Sequence, residues 1–297
     1  MDVGNVAAEI GEALGCAVLG VDRMHGGCVG EVHRADCEGL GRVVAKRGPS
    51  GSGLDIEGRM LEYLSARTPL PVPRVLHSSD RLLVMEHMEH SGGLDATGER
   101  EMADLLAGLH AITPSRDETR DRVEGEPAYG LGFGTLIGGI EQPNGWWESW
   151  ARFYGERRVL WMTERATGAG RLDASVARRV EQLADRMEEV LGDPGDCGLI
   201  HGDVWGGNVL ARRGRVVGLI DPAIYYADPE VELAFIALFG TLGKPFYEQY
   251  GSLREIRAGF WETRCDVYQL YPLLVHTALF GRGYASAVER ALDRLGF

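Results

Sequence analysis

The stretch LIHGDVWGGNVLARRGRVVGLIDPA, residues 199–223, sets two aspartates, an asparagine and a histidine in turns beside short apolar runs. Asp203 and Asn208 stand five residues apart in HGDVWGGN, so one compact loop can bring both side chains to one place. Asp221 closes the apolar strand VVGLI, and Pro222 restricts the backbone that follows it. Loop carboxylate, amide, strand, carboxylate is the order that phosphoryl transfer from a magnesium nucleotide requires. One carboxylate orients a hydroxyl and accepts its proton, and hard oxygen donors hold the metal. Asp203 takes the first role, as catalytic base, and Asn208 and Asp221 the second. Each residue alone is weak evidence, because Asp and Asn populate loops everywhere; their joint spacing carries the argument. His201 is read as a support of the loop, since Asp203 already supplies a base. A zinc site at His201 and Asp203 has no H-x-x-x-H or thiolate cluster beside it.

A nucleotide also needs a phosphate cover and a cation, and these must come from upstream. HGGCVG, residues 25–30, offers Gly26, Gly27 and Gly30, whose missing Cβ atoms allow backbone N–H groups to approach phosphates. An ordinary hairpin turn would read the same way. Lys46, in the strand GRVVAKR, is one of only two lysines in the chain, the other being Lys244. Its compact ammonium suits the phosphates. The helix LDIEGRMLEYLSAR places Glu57 on one stripe with Met60, Leu61 and Leu64, where a charge needs a partner, and Lys46 is that partner. Asp55 lies off the stripe and reads as a helix cap. The run LLVMEHME then supplies a connector whose backbone can meet adenine, with Met85, Glu86 and Met88 as contacts.

The remaining pattern is two-lobed. A first helix in MDVGNVAAEIGEAL, a hairpin and the strand RLLVMEHME make residues 1–88 a β-rich nucleotide lobe. SGGLD reads as a boundary, and from Glu99 onward helical periodicity dominates, so residues 89–297 form a larger, mainly helical lobe. PAYGLGFGTLIGGIEQPNGWW reads as glycine loops with aromatic punctuation, either a ligand rim or buried anchors. Among 297 residues, 44 acidic against 31 basic side chains give a net charge of -13, which argues against nucleic acid and anionic membranes as partners. No apolar run reaches a bilayer's width and no export signal is evident, so the expected compartment is the cytoplasm. Five cysteines without C-x-x-C spacing point to reduced thiols, with Cys28 in the glycine turn the one placed for reactivity.

HGDVWGGN and LIDPAIYYADPEVELAF, with GFGTLIGGIEQPNGWWESWARFYGERR upstream, resemble the fructosamine kinase or ketosamine 3-kinase family, within the aminoglycoside and choline kinase-like superfamily. The likeness runs from about residue 6 to the C-terminus, and the QPN-WW-W segment and the Trp205 loop are its family-specific part. It implies an α+β, protein-kinase-like bilobal fold and ATP- and Mg2+-dependent phosphorylation of ketosamines, usually on the sugar 3-hydroxyl, in deglycation. Ribuloselysine, erythruloselysine and fructoselysine are the implied substrates, free or protein-bound. Carried over, Lys46 and Glu57 match the phosphate-anchoring pair, Asp203 the base, and Asn208 and Asp221 the magnesium ligands. Cys28 matches a redox-sensitive cysteine that links homodimers in some members, so a monomer or such a dimer is implied. The substrate side would draw on His110, Asn144, Trp146, Trp147 and Trp205. The chain departs from the family pattern at Ala227, Asp228 and Pro229, a change expected to alter the surface that selects the sugar. The competing readings are a kinase of an aminoglycoside, choline-like alcohol or amino sugar, and a non-catalytic ATP-binding pseudokinase or redox-responsive interaction module.

Overall fold

The computed structural model describes residues 3–24, 30–119, 128–192, 194, 196–281 and 283–297. The smaller lobe opens with helix α1 (Val3–Leu14), followed by strands β1 (Val18–Met24), β2 (Glu31–Cys37) and β3 (Gly41–Arg47). Helix α2 (Leu54–Arg67) precedes strands β4 (Val75–Ser78) and β5 (Leu82–Glu86). The five strands form one antiparallel sheet in the order β1-β2-β3-β5-β4. Strand side chains alternate between faces, and here the alternation sorts two cores. Val43, Ala45, Leu82 and Val84 face α1, whereas Leu83 and Met85 face α2 with Leu54 and Leu61. Lys46 shares the parity of Val44, which puts its ammonium on the α2 side. Arg47 has the opposite parity and donates to Glu9 of α1 at 2.6 and 2.8 Å.

The larger lobe begins with strand β6 (Ser91–Leu94), so SGGLD is no plain linker: β6 pairs in parallel with a later strand, and Asp95 caps the next helix by accepting from Thr97 and Gly98 N–H. Helices α3 (Ala96–His110) and α4 (Arg116–Thr119) follow. The stretch expected to be glycine loops contains strands β7 (Tyr129–Leu131), β8 (Thr135–Ile137), β9 (Ile140–Gln142) and β10 (Gly145–Trp147). Gly138 and Gly139, at φ 54° and 81°, make the tight turn that joins β8 to β9. Next come α5 (Trp150–Tyr154), a π-helical turn at Gly155–Leu160, and α6 (Trp161–Gly168). Helices α7 (Ala174–Asp185) and α8 (Met187–Leu191) lead to strands β11 (Gly198–Ile200), β12 (Val209–Leu219) and β13 (Tyr225–Ala227). Helices α9 (Glu230–Phe239), α10 (Lys244–Leu253), α11 (Cys265–Phe280) and α12 (Ala285–Leu295) complete the lobe.

β12 must fold back on itself, because Ile220 N–H donates to the Asn208 carbonyl at 3.1 Å although a whole strand separates them. The reversal falls at Arg213 and Gly214, both at positive φ. The major core fills the larger lobe and takes in Met60 and Leu64 of α2, so that helix is packed by both lobes. Within α11, Pro272 has no N–H to offer the Tyr268 carbonyl, and the buried Tyr154 hydroxyl donates to it instead at 2.9 Å. Among the described residues no helix is long and apolar enough to cross a membrane.

Candidate active site

The loop between β11 and β12 is shaped by two close approaches. Gly202 sits at φ 85°, and a Cβ there would lie 2.2 Å from the Ala223 carbonyl oxygen. Ala223 N–H in turn donates to the His201 carbonyl at 2.8 Å, pinning the Asp203 loop to the residues that follow Asp221. Beneath the loop the fully buried Glu232 accepts from Gly202 N–H at 2.6 Å and His201 N–H at 3.3 Å. His110 Nε2 lies 2.8 Å from the same carboxylate and His110 Nδ1 2.7 Å from the Tyr250 hydroxyl. Burial works against the Glu232 charge, but the bond from His110 and the neighbouring charges and N–H groups outweigh it and hold the carboxyl below the usual range. His201 is fully buried, and its Nδ1 accepts from Asp203 N–H at 3.3 Å, which agrees with a supporting part in the loop.

Above this base five polar side chains converge: Lys46, Glu57, Asp203, Asn208 and Asp221. Asn208 Nδ2 donates to the Asp203 carboxylate at 2.8 Å and to the Asp203 carbonyl at 2.9 Å. Lys46 Nζ is 2.6 Å from Glu57 and also donates to Asp221. Burial opposes the Lys46 charge, yet the Glu57 and Asp221 carboxylates more than compensate and raise its pKa. Asp203 is pushed up to about 7, first by burial and then by repulsion from Asp221, with Asn208 opposing. It is therefore a carboxyl poised to gain or lose a proton near neutrality. Asp221 itself has φ 54°, a left-handed conformation seldom adopted by a side chain larger than glycine.

These groups line one cleft of about 470 Å³ between the lobes, together with Met85, Glu86 and Met88 of the connector. Met24, Val32, Val44, Leu210 and Ile220 add apolar walls. Val44 was legible as the same-face neighbour of Lys46; the others are brought in by the sheet and the β12 reversal. An apolar cleft that also holds a buried cation and carboxylates fits a nucleotide. The donor set of Asp221 and Asn208 is hard oxygen and fits magnesium. Among the described residues no group of three or more His, Cys, Asp or Glu side chains converges as a soft-metal site would require.

A second cavity of about 300 Å³ adjoins the first and shares Ile137, Gly138, Asp203 and Trp205 with it. Its walls are apolar or aromatic, with Phe235, Phe239 and Phe280 among them and His276 held by its Nδ1 at 2.8 Å from the Pro272 carbonyl. Trp205 is 43 % exposed and stands where both cavities meet.

The other residues expected on the substrate side are placed elsewhere. His110 has no exposed surface and lies behind the loop with Glu232. Asn144 is buried, donating to the Phe133 carbonyl at 2.8 Å and to Thr135 at 3.0 Å while accepting from Arg158 at 2.6 Å. Trp146 packs on Tyr226 and Trp147 on Phe153. Neither tryptophan lines the two cavities. The departure at Ala227–Pro229 is likewise internal. Asp228 and Glu230 are buried, Arg257 binds both, and Tyr268 donates to Asp228 at 2.6 Å. The expectation of an altered sugar-facing surface there is corrected, because these side chains face an ion network inside the lobe.

Gly26, Gly27 and Cys28 lie outside the described residues. Gly30 is described, and its missing Cβ makes room for the Arg47 carbonyl oxygen, 2.3 Å from where that atom would stand. Asp55 is not the cap of α2. Gly53, at φ 68°, holds that position, and its N–H donates to Asp80 at 3.2 Å.

The model of the fructosamine kinase family matches residues 5–296. A probable ketoamine kinase of Klebsiella aerogenes is 33 % identical over 242 residues, covering 80 % of this chain and 78 % of its own. A probable ketoamine kinase of Synechocystis is 34 % identical over 243 residues, covering 79 % and 75 %. A crystal structure from Thermobifida fusca YX-ER1 carrying a fructosamine-3-kinase assignment superposes with a TM-score of 0.84 at 28 % identity, covering 99 % of both chains.

Proposed function

The chain belongs to the fructosamine kinase family of ATP-dependent ketoamine kinases, and from that premise we propose that it phosphorylates the 3-hydroxyl of a lysine-derived ketosamine in deglycation. Ribuloselysine, erythruloselysine and fructoselysine are the substrate candidates. The observation that carries the reading is the convergence of Lys46, Asp203, Asn208 and Asp221 on one cleft that opens directly into a second cavity at Asp203.

In this reading Lys46 binds the nucleotide phosphates and Glu57 fixes the direction of its ammonium. Asn208 and Asp221 would hold a magnesium ion, which when bound supplies neutralising charge beside the phosphates. Asp203 orients the sugar hydroxyl toward the terminal phosphorus and takes its proton as the new P–O bond forms and the bond from that phosphorus to the β–γ bridging oxygen breaks, releasing ADP. The sugar enters from the aromatic cavity, against Trp205. Burial raises the Asp203 pKa, which favours a carboxylate that must take up a proton in the step. Positioning and electrostatics account for most of such a step, and Glu232 and Ala223 hold the loop that does the positioning.

The test is a mass-spectrometric panel with magnesium and ATP over ketosamines, an aminoglycoside and choline, followed by location of the added phosphate. Phosphate on the ketosamine 3-hydroxyl is expected. Transfer to the aminoglycoside or choline alone would reject the ketosamine reading, and phosphate on another hydroxyl would reject the regiochemistry.

A further inference from the structure

The segment Phe133–Asn144, which includes the QPN motif, touches α2 at one end and the residues after Asp221 at the other. Phe133 lies edge-on to Tyr63 of α2, ring centres 6.0 Å apart, with the Arg59 guanidinium 3.7 Å above its own ring. Leu136 seats against Gly53 at the start of α2, where a Cβ would come within 2.6 Å of its methyl group. That start is one helical turn before Glu57.

The other end of the segment is fixed by hydrogen bonds that never reach the cavities. Thr135 Oγ1 accepts from Gln142 at 2.8 Å and from Asn144 at 3.0 Å. Gln142 Nε2 also donates to the Ala223 carbonyl at 3.1 Å, and its own carbonyl accepts from Tyr271 at 2.8 Å. Ala223 is two residues past Asp221 and binds the His201 carbonyl. One continuous set of contacts therefore runs from α2 through Phe133 and Leu136, then through Thr135 and Gln142, to the loops that carry Asp221 and Asp203.

We infer that Phe133 is a positioning residue: the segment it leads holds α2 in a fixed place relative to the Asp221 loop, so that Lys46 and Glu57 stand ready for the nucleotide phosphates. The Lys46–Glu57 contact of 2.6 Å is made from a helix packed by both lobes. Ile137 and Gly138 line both cavities, but a segment serving mainly as a sugar rim would also turn the polar groups of Gln142 and Asn144 toward them, and here those groups are spent on Thr135, Arg158, Tyr271 and the backbone. The inference rests on the reading that Lys46 and Asp221 serve the same nucleotide.

The experiment compares Phe133→Ala and Phe133→Tyr with the wild type, measuring ATP affinity in the presence of magnesium by calorimetry and the KM for ATP and for the ketosamine separately. Phe133→Ala should weaken ATP binding roughly tenfold, the size of a modest positional coupling. It should leave the ketosamine KM nearly unchanged, and Phe133→Tyr, which keeps the ring, should restore ATP binding. A rise in ketosamine KM with ATP affinity intact would make the segment a substrate rim and overturn the inference. Unchanged ATP affinity with a lowered melting temperature would reduce it to packing and overturn it equally. If Phe133→Ala fails to fold, Arg59→Ala on the exposed side of α2 takes its place, and ATP affinity equal to wild type would again refute the idea. Because ATP binding is read without any acceptor, failure of the ketosamine panel leaves this test interpretable.

Discussion

The loop of residues 201–208 and the segment of residues 133–147 look alike in sequence, since both are rich in glycine, both carry tryptophan and both contain an asparagine. In the folded chain they are opposites. Asn208 reaches the Asp203 carboxylate at the wall of a cleft, beside a Lys46–Asp221 pair. Asn144 has its side chain enclosed by Arg158, Thr135 and the Phe133 carbonyl. A polar group whose partners are all protein stabilises and positions; one that faces a cavity beside unbalanced charge is free to act on a ligand. Chemistry should therefore fail in the first region with the fold intact, whereas in the second the loss should fall on the fold and on the placement of α2.

The largest effect is expected for Asp203→Asn. Transfer should fall by ~10²–10⁴-fold, the usual share of a positioned base. Stability should hold or rise, because burial already disfavours the Asp203 charge. Steady-state phosphate transfer and a thermal melt measured together decide this, and a strongly destabilised Asp203→Asn protein would break the contrast.

Arg158→Met probes the other side. Arg158 is fully buried, donates to Asn144 and the Pro143 carbonyl, and stacks 3.9 Å from the Tyr225 ring centre. Removing it strands those neutral acceptors, each costing about 1–3 kcal/mol, a loss to be read in denaturant unfolding. A loss below about 1 kcal/mol would show that the segment is not held as described.

Glu232→Gln lies between the two regions, since Glu232 is buried yet supports the Asp203 loop. A loss of about 1–3 kcal/mol is expected from weakening a buried acceptor of three hydrogen bonds. The sign with pH follows from its lowered pKa: the folded state holds the proton less tightly than the unfolded chain. The stabilisation is thus complete above the ordinary glutamate range and is lost as pH falls through the folded pKa. Melting curves on acidification should converge for wild type and Glu232→Gln, and parallel curves would contradict this origin.

The smallest change in stability is expected at Trp205. Trp205→Ala removes a side chain that is 43 % exposed, so unfolding should shift by no more than ~0.5 kcal/mol. The KM for the ketosamine should nevertheless rise while that for ATP does not. Equal rises in both would move Trp205 from the sugar side to the shared wall of the cleft.

Much of the fold and half of the site could be read before any coordinates. Alternation in GRVVAKR and the stripe of α2 placed Lys46 opposite Glu57, and the spacing of HGDVWGGN and LIDPA brought Asp203, Asn208 and Asp221 together, because each depends on local periodicity or on a short loop. The resemblance in the same stretches indicated the family and the bilobal architecture. His110, Asn144, Trp146 and Trp147 were legible only as residue types able to bind a sugar. Their sites depend on contacts distant in sequence: His110 meets Glu232 across 122 positions, and Gln142 meets Ala223 across 81. Only tertiary structure decides whether a buried polar side chain spends its hydrogen bonds on the protein or keeps one for a ligand, because the partners that settle the question are absent from its own segment.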